Sequence, residues 1–102
     1  MKVILSIKPE FAEKIFEGEK QYEFRRTLFK NPIVSKVIVY ASAPISRVIG
    51  EFNIENILHD TLDILWDYTN EQSGISHEYY REYFHGKDKG YAIKISSPTR
   101  YQ

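Results

Sequence analysis

The feature that most constrains this fold is a long strand expected over residues 46–57 and interrupted by a glycine. Val48, Phe52 and Ile54 fall on one face of that strand, and Arg47, Glu51, Asn53 and Glu55 on the other. Gly50 breaks the alternation, and a glycine inside a strand marks a bulge or the sharp bend of a barrel. A sheet built on such a strand is expected to curl.

The other elements are arranged around it. Val3, Leu5 and Ile7 alternate over residues 2–7, and Pro9 suits the first turn of a helix, where its missing N–H is harmless. Phe11, Ala12, Ile15 and Phe16 give that helix one apolar side, and Gly18 ends it in the left-handed conformation. A strand is expected over residues 20–26, then a loop containing Lys30-Asn31-Pro32. Residues 36–41 are rich in Val, Ile and Tyr on both faces and read as a central strand, turned by Ser42-Ala43-Pro44. Asp60 is expected to cap a helix carrying Leu62, Leu65, Trp66 and Thr69. Ser76 caps another, with Ile75 and Tyr80 as a hydrophobic staple and Gly86 at its close. A last strand over residues 90–96 points Tyr91, Ile93 and Ile95 inward, and residues 97–102 read as a polar tail. The order β-α-β-β-β-α-α-β implies an α+β fold. Five strands with one bent are too few for a sandwich and suit a small, partly open barrel.

At 102 residues the chain holds one core, expected as a single domain over residues 2–96. It contains no cysteine, which excludes disulfides, thiolate metal sites and cysteine nucleophiles. His59, His77 and His85 are too scattered for a metal site, so no metal is expected, and no cofactor motif appears. The apolar run Val3-Ile4-Leu5 is far too short for a membrane span, so a cytoplasmic protein is expected. Net charge is zero but uneven: residues 1–50 carry nine Lys and Arg against five acidic residues, and residues 51–102 carry five against nine. Such asymmetry hints at a charged face.

The most chemical stretch is Gly18-Glu19-Lys20-Gln21-Tyr22-Glu23-Phe24-Arg25. Tyr22 and Phe24 would take the apolar face of the strand, and Glu23 and Arg25 share the opposite one. Lys20, at the mouth of the turn, can swing over that face. Two cations around an anion make a poor core and a plausible polar site.

This spacing, G-x-K-x-x-E-x-R, resembles the signature of the ASCH domain, a member of the PUA-like superfamily. Ser6-Ile7-Lys8-Pro9, Tyr40 through Pro44, Gly50-Glu51-Phe52 and the run from Gly74 to Lys87 are similar to a small-protein branch of it, so that residues 2–96 are covered. The resemblance implies a PUA-like five-stranded mixed β pseudo-barrel flanked by about three short helices. It also implies a ligand cleft lined in part by the turn that holds Ser42. Some ASCH-like proteins are amidohydrolases of an acetylated cytidine, with a threonine nucleophile three residues after the motif lysine. Here that position is Glu23, a carboxylate that cannot take over a hydroxyl's attack on an amide, so that activity is not expected.

Taken together, the expected function is binding of RNA or a nucleotide-like ligand in a positively charged cleft. Lys8, Lys20 and Arg25 would hold phosphate, Glu23 would accept from a base amino group, and Ser42 would add a secondary contact. Two alternatives stay open. One is a hydrolase of RNA or a modified nucleoside using Lys20 and Glu23 as an acid–base pair. The other is a protein-interaction module working through the acidic helices. Trp66 and the tyrosines at 79, 80 and 83 have the spacing of helix burial, and core packing is expected of them.

Overall fold

The computed structural model describes residues 1–102. Its elements are β1 (Lys2–Ile7), α1 (Pro9–Phe16), β2 (Tyr22–Arg25), β3 (Lys36–Ala41), β4 (Arg47–Thr61), α2 (Leu62–Thr69), α3 (His77–Tyr83) and β5 (Lys89–Arg100), with a 3₁₀ turn at Asn70–Gln72. The expected order is the observed one. The strands form one mixed sheet ordered β1-β3-β4-β5-β2, parallel between β1 and β3 and antiparallel elsewhere. It curls into a half-barrel, with β1 and β2 as its free edges.

Gly50 does what its position implies. Val39 pairs with Gly50 and Tyr40 with Val48, which leaves Ile49 as the extra residue of a bulge. The glycine is required there, because a Cβ would lie 2.4 Å from the Phe16 ring and 2.6 Å from the Thr99 carbonyl. The bulge also corrects one expectation. It reverses the alternation, so Val48 lies 40% exposed while Phe52 is fully buried.

Two strands outrun their sequence signals. β4 continues to Thr61 because its polar second half pairs with β5, Asp60 against Gly90 and Thr61 against Lys89. Asp60 is therefore the end of a strand and not a helix cap; its carboxylate accepts only from the N–H of Thr61, 2.7 Å away. β5 likewise runs past Ser96 to Arg100, so the polar tail begins only at Tyr101. Residues 97 and 98 form a second bulge opposite Phe52, with Ser97 at φ 49°. The Arg100 guanidinium then pairs with both carboxylate oxygens of Glu13, at 3.0 and 2.8 Å.

The core has two parts. One, around Ile7, Ala12, Ile15, Val39, Phe52 and Ile93, lies between α1 and the sheet. The other, around Tyr22, Phe24, Leu65, Tyr80 and Phe84, lies under α2 and α3. Ser76 caps α3 by accepting from the N–H of Tyr79 at 3.0 Å, as its sequence implies. No helix is long and apolar enough to cross a membrane.

Candidate functional site

The site begins where α1 ends. Gly18 takes φ 84°, and the N–H groups of Glu19 and Lys20 both donate to the Lys14 carbonyl at 3.0 Å. That closure aims the Lys20 side chain inward instead of over the strand. The next residue is locked on both sides: Gln21 N–H donates to Gln72 at 2.8 Å, and its carbonyl accepts from Ile95 at 2.9 Å. β2 therefore starts at Tyr22, two residues later than expected.

Lys20 is only 2% exposed. Its stem lies on Gly74, where a Cβ would stand 2.6 Å from Lys20 Cβ. Its ammonium donates to the Ser73 carbonyl at 2.6 Å and sits 5.0 Å from the Phe24 ring and 5.4 Å from that of Phe11. The strand after it is largely covered on both faces. Tyr22 and Phe24 are buried as expected, but Glu23 on the other face is only 6% exposed. Ile75, Tyr79 and Tyr83 line the same cavity as Glu23.

Arg25 Nη1 approaches Glu23 Oε2 and the Ser6 carbonyl, each at 3.4 Å. Tyr83 donates its hydroxyl to the Phe24 carbonyl at 3.0 Å. Lys8, exposed at the start of α1, places its ammonium 5.0 Å from the Tyr79 ring. Lys8, Lys20, Glu23 and Arg25 thus line one cavity of about 170 Å³, with Phe11, Tyr79 and Tyr83 as further wall. Ser42 is not part of it. The Ser42 N–H donates to the Ile7 carbonyl at 2.9 Å, and its own carbonyl accepts from Ile45 and Ser46, so it holds the turn behind β3.

Two tyrosines of this wall depart from the core packing that the sequence reading expected for most of the cluster. Tyr80 and Phe84 are buried as expected. Tyr79 and Tyr83 are also one helical turn apart, but about 100° round the axis, and they face the cavity. Their rings stack at 6.4 Å and 11°, and Phe11 meets Tyr79 edge-on at 5.1 Å. The signal that separates them is the pairing of 79 with 83 and of 80 with 84.

Burial dominates the electrostatics. It lowers the Lys20 ammonium to a pKa of about 8, against the opposing pull of Glu23. It raises the Glu23 carboxyl, although Lys20 and Arg25 both favour the ionised form. It also raises the Tyr83 phenol. Burial therefore pushes Lys20 and Glu23 both toward their neutral forms. No group of three His, Cys, Asp or Glu residues is placed to hold a metal ion.

The sequence model of the ASCH domain matches residues 5–99. An ASCH domain-containing ribonuclease of Zymomonas mobilis is 33% identical over 92 residues, covering 90% of this chain and 62% of that protein. The chain thus spans less than two thirds of that relative's length. The crystal structure of the Zymomonas mobilis ASCH protein superposes with a TM-score of 0.88 at 31% identity, covering 95% of this chain and 68% of that one. The large ribosomal subunit protein uL22 of Ureaplasma parvum is 31% identical over 101 residues, covering 98% of this chain and 32% of that protein. The curled half-barrel is the PUA-like architecture shared with the Zymomonas mobilis ASCH structure.

Proposed function

The chain belongs to the ASCH domain family, and from that premise we propose that it binds single-stranded RNA, seating part of one nucleotide in the cavity around Glu23. The observation that carries this reading is the convergence of Lys8 and Arg25 with the aromatic walls Phe11, Tyr79 and Tyr83 on one cavity. Cations at a rim hold phosphate, and aromatic faces take an unstacked base. Glu23, deeper in, accepts from a base amino group. The ribonuclease name of the Zymomonas mobilis relative supports an RNA-directed role. Labelled RNAs and DNAs at two salt concentrations test it. Two phosphates neutralised by Lys8 and Arg25 give the cavity a share of about −1.4 in the slope of log K against log salt on single strands. Binding that ignores salt would point instead to a neutral ligand or a protein.

A second reading is favoured by the shifts at Lys20 and Glu23. An ammonium lowered to about 8 beside a raised carboxyl is a competent acid–base pair, and RNA supplies its own nucleophile in the 2′-OH. Glu23→Gln separates the two. Binding alone loses roughly 1–3 kcal/mol of base discrimination while phosphate-driven affinity holds. Hydrolysis loses roughly 10²–10⁴-fold in turnover with affinity nearly intact.

A further inference from the structure

A second basic surface lies round the corner from the cavity. Arg26, Lys30, Lys87 and Lys89 line an open cleft of about 770 Å³, with Asp88 as the only carboxylate among its lining residues. None of the four cations has a carboxylate within 4.0 Å, whereas Arg25, Lys36, Lys94 and Arg100 all do. Arg26 and Lys30 come from the basic half of the sequence, and Lys87 and Lys89 join them from residues 51–102, where acidic residues outnumber basic ones nine to five. Unpaired like charges gathered in one concavity repel each other and attract a polyanion.

Two features make the cleft more than a charged patch. Arg26 is held in place, because its Nη1 donates to the carbonyls of Tyr83 and His85, each at 2.8 Å. Its remaining N–H groups stay available. His59 and Tyr91, cross-strand partners on β4 and β5, stack at 4.0 Å with their planes 9° apart. His59 is exposed, so the pair forms a flat step on the cleft floor that a base can extend.

The cleft also adjoins the cavity. Arg25 lines one and Arg26 the other, and Tyr83 lines the cavity while its carbonyl anchors Arg26. We propose that this cleft is a second binding site for single-stranded nucleic acid, with backbone phosphates on Arg26, Lys30, Lys87 and Lys89 and one base stacked on His59. It lengthens the track of an RNA strand whose nucleotide occupies the cavity, and to that extent rests on the RNA-binding reading.

The test is binding of a single-stranded RNA about twelve nucleotides long, titrated at several salt concentrations. The wild-type protein is compared with Lys30→Ala/Lys89→Ala, His59→Ala and the cavity variant Arg25→Ala. Both lysines are exposed and their side chains make no hydrogen bond or ion pair to the rest of the chain, so the double variant retains the fold, checked by its thermal transition. Losing two phosphate contacts reduces the salt slope by about 1.4 and weakens binding roughly 60-fold at about 50 mM salt. His59→Ala weakens it roughly fivefold or more, with the slope unchanged. A mononucleotide, too short to reach the cleft, binds the double variant as it binds wild type. Unchanged 12-mer affinity and slope in the double variant, with binding lost in Arg25→Ala, overturns the cleft and leaves the cavity reading standing. Binding lost in the double variant but kept in Arg25→Ala supports the cleft and overturns the cavity reading. No 12-mer binding by the wild-type protein overturns both.

Discussion

Replacing Lys20 with methionine removes a buried cation and keeps an unbranched side chain over Gly74. The ammonium titrates at about 8 in the fold, against 10.5 for an unburied lysine. Between those values the native state binds fewer protons than the unfolded chain, so the contribution of Lys20 to stability rises with pH across that window. At about 1.4 kcal/mol per pKa unit, the charged form costs the fold about 3 kcal/mol near neutral pH and less than about 1 kcal/mol by about pH 10. Lys20 is only 2% exposed, so solvent screening takes little from that figure. Against it stands the hydrogen bond to the Ser73 carbonyl, whose loss leaves a buried acceptor at a cost of about 1–3 kcal/mol. Near pH 7, Lys20→Met is thus between neutral and about 2 kcal/mol more stable than wild type. Toward about pH 10 the difference moves by roughly 2–3 kcal/mol in favour of wild type. Urea unfolding of both proteins across that range measures it, and tyrosine ionisation cancels in the comparison. A difference that stays flat with pH refutes the burial of a charged Lys20 as the cause.

Glu23→Gln removes the charge that holds the Lys20 ammonium up, so Lys20 should titrate below about 8, read from its Nζ resonance by NMR; an unchanged or higher value would break the assigned coupling. Gly74→Ala should destabilise the fold by about 2 kcal/mol or more, because its φ is 68° and the new Cβ would strike the Lys20 stem; a urea midpoint within error of wild type contradicts it. Ser76→Ala deletes the cap of α3 and should cost about 1 kcal/mol by the same measurement, while a neutral result would mean the Tyr79 N–H finds another acceptor.

Local signals carried a large part of this protein. The limits of β1 and β3, the start of α1 at Pro9, its end before Gly18, the Ser76 cap and the bulge at Gly50 were all legible from side-chain period, proline, cap and glycine chemistry. Each depends on residues a few positions apart. The spacing from Gly18 to Arg25 likewise marked the polar residues that the structure brings together. Tertiary structure decided which faces are covered, because burial is set by segments far away in sequence. Period alone put Lys20 and Glu23 on an open face; the return of Ser73 and Gly74 against Lys20, and of Tyr83 against β2, buried both and shifted their protonation. Pairing with β5 carried β4 to Thr61 through Asp60, a residue type depleted in strands, and so took Asp60 out of a helix cap. One inserted residue, Ile49, turned Val48 to solvent. Ser42 stayed outside the cavity because its backbone closes the turn behind β3, a geometry that no spacing along the chain records.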